Sequence, residues 1–160
     1  MAKVSAGLLM YRHRECHLQV LLAHPGGPYF RNKDEGAWSI PKGEVVPGEE
    51  LLAAAQREFE EETAIKPSPP FLPLTSITQK AGKTVHAWAF AGDCDATTIS
   101  SNTFTIEWPP RSGRWMEFPE IDRAEFFDLG TARRKINPEQ RPLIDELELS
   151  LAREKRATDS

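Results

Sequence analysis

The feature that most constrains the fold is one helical segment enclosed between helix-breaking residues. Residues 49–62 are rich in strong helix formers, and Leu52, Ala55 and Phe59 recur at helical spacing to make an apolar stripe. A Pro-Gly turn precedes the segment, and the three prolines within residues 66–70 prevent its continuation. The sequence therefore predicts an amphipathic helix that covers one side of a core.

Apolar segments on both sides of this helix predict strands, and the mixture of strands and helices predicts an α/β fold. The predicted strands are Val4–Tyr11, Leu18–His24, Phe71–Gln79, Thr84–Gly92, Trp115–Phe118 and Ala124–Leu129. Residues 41–43 (Pro-Lys-Gly) predict a tight turn, and residues 93–113 predict a long polar loop. A leucine every fourth residue predicts a C-terminal helix at about residues 142–155. Without repeats or a composition break, residues 1–160 are expected to form one domain.

Composition excludes several functional classes. The chain has 160 residues, of which 39% are hydrophobic and 28% charged, so a disordered chain is excluded. Its formal net charge is −4 without a long basic run, so extended nucleic-acid binding is not expected. No apolar stretch is long enough to span a bilayer, and the N-terminus lacks a signal-peptide pattern. Cys16 and Cys94 are expected to be reduced, partly buried thiols, and the protein is expected to be cytoplasmic.

An excess of carboxylates in and before the predicted helix needs an explanation. Like charges at this spacing destabilise a helix, and the last turn of a helix favours cations. Glu58, Glu61 and Glu62 fall within one arc of the helix surface, where a divalent cation would offset their repulsion. Hard oxygen ligands of this kind suit Mg²⁺ or Mn²⁺. The seven acidic residues are Glu44, Glu49, Glu50, Glu58, Glu60, Glu61 and Glu62.

A solvated acidic face is the usual explanation of such a run, and the residues before the helix argue against it here. The Pro-Lys-Gly turn at residues 41–43 provides a basic side chain, Lys42, next to the carboxylates. A phosphate chain could contact Lys42 and the bound metal together. The combination therefore favours a metal-assisted phosphate site.

The spacing of these residues resembles a known signature. Gly43, five residues, Glu49, seven residues and then Arg57-Glu58-Phe59-Glu60-Glu61-Glu62 resemble the Nudix box, which reads G-x5-E-x7-R-E-U-x-E-E-x-G-U. The resemblance covers residues 43–65, and it implies a Nudix-type α/β/α sandwich with a mixed β-sheet and the catalytic helix following a loop. It also implies a pyrophosphohydrolase. One position departs from the signature, because Ala64 stands where the family has glycine. Either alanine adopts the left-handed cap at a cost of about 1 kcal/mol, or the cap differs.

The resemblance assigns roles to residues of the box. Glu58 and Glu62 are expected to bind Mg²⁺ or Mn²⁺, Glu61 to be a further metal ligand or the base, and the Gly43 carbonyl to complete the coordination. Arg57 is expected to orient the carboxylates, with a surface ion pair to Glu61 as the alternative. Glu61, Arg57 and Glu58 are thus the predicted catalytic residues.

Further candidates lie outside the core of the signature. Glu49 is expected to be structural, pairing with Arg57 or with the start of the helix. Some family members use an acid outside the box, so Glu117, Glu120 and Asp122 are candidates for the base, with a solvated strand edge as the alternative.

Substrate-binding residues are predicted from chemistry and position. Lys42, Arg31 and Lys33 could contact phosphates, and Trp38 could stack on a base or fill the core. The segment around them is similar to the branch of dinucleoside polyphosphate hydrolases and nucleoside triphosphate pyrophosphohydrolases, so a dinucleoside polyphosphate or a nucleoside triphosphate is the expected small-molecule substrate. The alternatives are a diphosphoinositol polyphosphate hydrolase, an RNA 5′-end pyrophosphohydrolase and a non-catalytic nucleotide-sensing module. Homodimers are frequent in the family, so a homodimer is a further expectation.

Overall fold

The computed structural model describes residues 3–159, and six of its eight strands form one mixed sheet. Strand β1 is central: it pairs in parallel with β5 and antiparallel with β2 and β3. Five strands lie in the order β4-β5-β1-β2-β8, and the sixth strand, β3, also pairs with β1. The six strands are β1 (Val4–Arg14), β2 (His17–Pro25), β3 (Lys42–Glu44), β4 (Leu72–Gln79), β5 (Lys83–Ala91) and β8 (Ile121–Asp128).

Strands β1 and β2 separate along their length, and β3 occupies the space between them. Only residues 11–14 of β1 pair with β2, whereas residues 5–7 pair with β3. The predicted turn at residues 41–43 is therefore wrong for Lys42 and Gly43, which are strand residues. A three-residue strand is too short to show an alternating pattern, and long-range pairing with β1 defines it.

Three helices cover the two faces of the sheet. Helix α1 (Leu51–Thr63) lies on one face, and α2 (Leu129–Lys135) with α3 (Arg141–Asp159) lies on the other. Ala54, Ala55 and Phe59 of α1 are buried against even-numbered residues of β1, which alternate to that face. The opposite cluster combines odd-numbered residues of β1 and β5 and even-numbered residues of β2 and β4 with leucines of α3. The predicted α/β/α sandwich with a mixed sheet is confirmed, and both predicted helices are present with ends shifted by a few residues.

Strands β6 (Thr103–Glu107) and β7 (Trp115–Pro119) form a separate two-stranded hairpin. The prediction of an irregular loop over residues 93–113 is wrong at β6, because Trp-Pro-Pro and neighbouring polar residues masked a short alternating strand. The base of the hairpin packs closely on the loop after β2. A Cβ atom at Gly26 would lie 1.9 Å from the Pro119 carbonyl oxygen, and one at Gly27 would lie 2.8 Å from the Phe104 ring.

Both cysteines are free thiols, but only Cys94 is partly buried. Cys16 is exposed in the turn between β1 and β2, where its φ is 66°, so its expected burial is wrong. No helix among the described residues is long and apolar enough to cross a membrane.

Helix α1 ends at a left-handed residue that is not glycine. Ala64 has φ 62° and ψ 18°, and its N–H donates to the Glu60 carbonyl. A Cβ atom in this conformation crowds the following backbone, which costs roughly 1–2 kcal/mol. The structure therefore adopts the usual cap of the signature and accepts the strain of alanine.

We expect Ala64→Gly to stabilise the protein, because it relieves this strain. The gain should be about 1 kcal/mol after the greater entropy of glycine in the unfolded chain is subtracted. For a chain of this size, that raises Tm by about 2–4 °C in a thermal melt. Ala53→Gly, at an exposed position within the same helix, should lower Tm instead. A lower Tm for Ala64→Gly would contradict the assignment of strain to Ala64.

Candidate metal and phosphate site

The packing of α1 brings its carboxylates onto strand β3. With Phe59 buried below the helix, Glu58 projects at Gly43, and the contact is so close that a Cβ atom at Gly43 would lie 2.1 Å from the Glu58 carboxyl carbon. Only glycine leaves room for this carboxylate. The first glycine and the first metal-ligand candidate of the signature are thus in direct contact, fifteen residues apart in the chain.

Arg57 organises the carboxylates from the side. Its guanidinium donates to Glu49 at 2.8 and 3.0 Å, to Glu58 at 2.9 Å and to Glu61 at 3.2 Å. It also reaches the Glu44 carbonyl at 3.3 Å. These bonds, that to Glu49 foremost, raise the pKa of Arg57, so the group stays charged. The expected pairing of Glu49 with Arg57 is present, and the ion pair with Glu61 is one of three that Arg57 makes. An orienting role for Arg57 stays a prediction.

Glu62 faces the other way, into a small cleft that it shares with Lys42. The Lys42 backbone N–H donates to Glu62 at 3.0 Å. Burial, with Glu58 and Glu120 nearby, raises the pKa of Glu62 to about 8. Burial and the neighbouring Lys83 lower the pKa of Lys42 to about 8, although the carboxylates oppose this. The cleft is lined by Ala23, Pro25, Ser39, Ile40, Lys42, Glu62, Glu120 and Ile121.

Glu120 is the acid outside the signature that the fold brings to this cleft. It follows β7 directly, and its backbone is fixed at both ends: its N–H donates to the Asn102 carbonyl, and its carbonyl accepts from Gly26, both at 2.9 Å. Partial burial and the charge of Glu61 raise the pKa of Glu120. Of the three predicted candidates, Glu117 is exposed on the hairpin and Asp122 accepts a hydrogen bond from the buried His24, so neither joins the cluster.

The remaining predicted substrate-binding residues lie elsewhere. Trp38 is 1% exposed, donates to Asp34 at 2.9 Å and packs on Phe127, so it fills the core and presents no free face to a base. Arg31 and Lys33 are exposed on the loop after β2 and do not line the cleft that contains Lys42. The structure therefore brings Lys42 to the carboxylates and leaves these three residues outside that group.

The carboxylates suit a hard divalent cation by their chemistry. A side chain at Gly43 would fill the space beside Glu58, and burial raises the pKa of Glu58 as well as that of Glu62, so a cation would stabilise their charged forms. Oxygen donors of this kind suit Mg²⁺ or Mn²⁺. Within residues 3–159 no three acidic, histidine or cysteine side chains already converge in a metal-binding arrangement. Arg57 holds Glu58 and Glu61, so these side chains would have to turn toward an incoming ion.

A larger open cleft lies on the same face of the sheet, above Phe126. It is lined by both Arg12 and Arg14, but Asp93 already pairs with them at 2.7 and 3.0 Å. The Arg12 guanidinium also lies 3.6 Å from the centre of the Phe126 ring. Because its charges are satisfied internally, this cleft is a weaker candidate for a phosphate site than the smaller one beside Glu62.

Comparisons with known proteins agree with the fold and the box. The family model described as the NUDIX domain matches residues 1–147, and the chain belongs to this family. An RNA pyrophosphohydrolase of Erythrobacter litoralis (strain HTCC2594) is 41% identical over 70 residues, which cover 41% of this chain and 42% of that protein. This chain is thus aligned with less than half of that curated relative.

Solved structures share the same fold. A Caenorhabditis elegans Ap4A hydrolase in a binary complex has a TM-score of 0.66 and 23% identity, over 94% of this chain and 98% of that one. A mutT/nudix family protein of Listeria innocua has a TM-score of 0.66 and 16% identity, over 97% of both chains. The NUDIX domain of Shewanella oneidensis NrtR, complexed with ADP ribose, has a TM-score of 0.59 and 17% identity, over 97% of this chain and 88% of that one. At these identities the likeness concerns the fold alone.

We expect Gly43→Ala to displace the Glu58 carboxylate, because the added methyl group would overlap it. The variant should lose stability in a thermal melt by a margin typical of overpacking, about 1–3 kcal/mol. Gly130→Ala is the matched control, since a Cβ atom there meets nothing within 4 Å and alanine favours helix α2. Equal melting curves for the two variants would contradict the close contact.

The raised pKa of Glu62 predicts a pH dependence of stability in metal-free protein. The folded state holds a proton on Glu62 up to about pH 8, whereas the unfolded chain releases it near 4.5. The stabilisation from this group is therefore fully present below pH 4.5 and is lost as the pH rises through about 8. Glu62→Gln should show a smaller fall in Tm over this window in chelator. Glu60→Gln, an exposed neighbour, should follow the wild type; a curve for Glu62→Gln parallel to the wild type would refute the assignment.

Proposed function

We propose that this Nudix hydrolase cuts a phosphoanhydride bond in a nucleoside polyphosphate, with Mg²⁺ or Mn²⁺ held by the box carboxylates. The observation that carries the proposal is the contact of α1 with β3. It brings Glu58 onto the backbone of Gly43 and Glu62 onto the backbone N–H of Lys42, whose residue lines the same cleft. Arg57 links Glu61 to Glu58. The arrangement supplies ligands for a cation and a basic group for a phosphate within one small volume.

The ligands of the metal are proposed to be Glu58, Glu61, Glu62 and the Gly43 carbonyl. When bound, a divalent cation neutralises phosphate oxygens and lowers the pKa of a water molecule. Arg57 holds the carboxylates in position through its ion pairs with Glu49, Glu58 and Glu61. Its pull on Glu58 and Glu61 also limits their repulsion before a cation enters.

The other groups of the cleft are proposed to handle substrate and proton. Lys42 binds a phosphate oxygen through its ammonium group, which a neighbouring anion would keep charged. A carboxylate accepts the proton of the attacking water, and Glu61 is our first choice for this base. Glu120 is the alternative base, because it lies at the same cleft and its backbone is fixed by Gly26 and Asn102.

The preferred substrate is a dinucleoside polyphosphate or a nucleoside triphosphate. The Ap4A hydrolase among the structural neighbours and the pyrophosphohydrolase name of the curated relative support a substrate with a chain of phosphates. An RNA 5′ end and a diphosphoinositol polyphosphate are the alternatives within the same chemistry. A homodimer and a cytoplasmic location remain predictions.

The test of this proposal is product analysis on a substrate panel. Diadenosine tetraphosphate, 8-oxo-dGTP and ADP-ribose are incubated with protein and Mg²⁺ in oxygen-18 water, and labelled products are identified. Release of labelled phosphate-bearing products that stops on chelation supports the proposal. Tight nucleotide binding without release from any substrate would establish the nucleotide-sensing module instead.

We expect Glu61→Gln to lower kcat by two or more orders of magnitude, because it removes a charge that serves as ligand or base (about 10²–10⁴-fold for a positioned acid or base). The fold should persist, since Glu61 is exposed. Glu60→Gln, on the same turn but outside the ligand set, should retain wild-type turnover. Full activity of Glu61→Gln would remove this residue from the mechanism, and the same assay on Glu120→Gln would then identify or exclude the alternative base.

A further inference from the structure

The hairpin β6–β7 and the loop after β2 meet in a pair of aromatic rings, of which Tyr29 is exposed and Trp108 is half-buried. The Tyr29 and Trp108 rings lie 5.2 Å apart, edge to face, at an interplanar angle of 75°. Tyr29 is 55% exposed although it is large and apolar for most of its area. Edge-to-face packing covers one face of one ring only, and an exposed ring face suits stacking with another flat ring.

Three arginines are neighbours of these rings along the chain or across the hairpin. Arg31 is two residues from Tyr29, Arg111 is in the hairpin turn, and the Arg114 carbonyl accepts a hydrogen bond from the Trp108 backbone N–H at 2.8 Å. None of these three arginines has an acidic partner within the part of the chain that the structure describes. Of the nearby acids, Asp34 is paired with Lys135 and accepts a hydrogen bond from Trp38, and Glu107 accepts one from the Arg111 backbone N–H. The surface therefore combines aromatic rings with arginine side chains that form no ion pair with any described residue.

The same surface is joined to the proposed phosphate site. Gly26 donates to the Glu120 carbonyl at 2.9 Å, and Tyr29 is three residues further along the chain, a reach of at most about 11 Å. A phosphate chain that begins between Lys42 and Glu62 and passes Glu120 would thus carry its nucleoside toward the rings. The hairpin and the loop are held together at this end by the tight contacts at Gly26 and Gly27.

We propose that Tyr29 and Trp108, with Arg31, Arg111 and Arg114, bind the nucleobase and adjoining phosphate of the substrate. This aromatic clamp rests on the proposed function and narrows its substrate class. It requires a polyphosphate that carries a nucleobase, and a diphosphoinositol polyphosphate has no such aromatic ring. The base belongs either to a small nucleotide, namely a dinucleoside polyphosphate or a nucleoside triphosphate, or to the 5′ end of an RNA, since each presents the same ring and phosphate.

The hairpin provides its own control residue. Trp115 is 68% exposed, but it pairs with Glu107 on the odd-numbered face, whereas Phe104 of the even-numbered face meets Gly27. Trp115 is thus an exposed tryptophan of the same hairpin that faces away from Tyr29. Removing either tryptophan leaves the core of the sandwich intact.

The kinetic test compares Trp108→Ala with Trp115→Ala. Trp108→Ala should raise KM for diadenosine tetraphosphate about tenfold, equivalent to about 1.4 kcal/mol and within the range of base stacking on an aromatic side chain, with kcat nearly unchanged. Trp115→Ala should match the wild type. Inorganic tripolyphosphate, which has no base, should inhibit all three proteins equally. Trp108→Phe and Tyr29→Phe, which keep a ring, should recover most of the affinity.

Two outcomes would overturn the clamp. The first is an unchanged KM in Trp108→Ala. The second is a loss of kcat and of tripolyphosphate inhibition together, because that pattern means that Trp108 only supports the hairpin. A triphosphorylated dinucleotide is assayed beside diadenosine tetraphosphate to distinguish the two sources of the base. The substrate whose KM rises more in Trp108→Ala identifies the source.

A binding measurement separates this proposal from the proposed function. In chelator, where no cleavage is expected, diadenosine tetraphosphate should quench tryptophan fluorescence in the wild type and in Trp115→Phe, and the quenching should be lost in Trp108→Ala. Quenching without any hydrolysis in Mg²⁺ would refute the enzyme and retain the clamp. Hydrolysis without quenching would refute the clamp and retain the enzyme.

Discussion

The contact between the Glu58 carboxylate and the backbone of Gly43 is the constraint on which the site depends. It requires a residue without a side chain on β3, a helix pressed onto the sheet by Phe59, and an arginine that holds the carboxylate in place. Each requirement is met by a different element. Because the contact leaves no spare volume, it fixes the distance between α1 and β3 in the folded protein.

This close packing also creates the chemistry of the cleft. Pressing α1 onto β3 withdraws Glu58 and Glu62 from water, and the cost of charging them appears as raised pKa values. Arg57 neutralises part of the negative charge, but its single positive charge is shared among three carboxylates. A cation would relieve the remainder, so the same burial that destabilises the metal-free cluster would favour metal binding. The buried carboxylates thus lower the stability of the metal-free protein at the site where metal binding is proposed.

The substrate side of the molecule is built on different principles from the metal side. The cluster on α1 depends on burial and fixed ion pairs, whereas the aromatic clamp consists of an exposed ring, a half-buried ring and exposed arginines on a hairpin and a loop. Loops carried by a rigid scaffold are where specificity usually varies. The two parts meet at Glu120 and Gly26, where the backbone of the hairpin is bonded to the end of β2.

The sequence by itself determined the helix, its ends and the residues of the box, because these depend on local periodicity, on proline and glycine, and on fixed spacing along one element. It left open whether Ala64 forms a left-handed cap, and the structure shows that it does. Only the tertiary structure decided that Lys42 and Gly43 belong to a strand, that Trp38 is core, and that Glu120 rather than Glu117 or Asp122 reaches the cleft. Those outcomes depend on pairing between residues far apart in the chain, and no local pattern records which distant strand or hairpin will lie beside a given side chain.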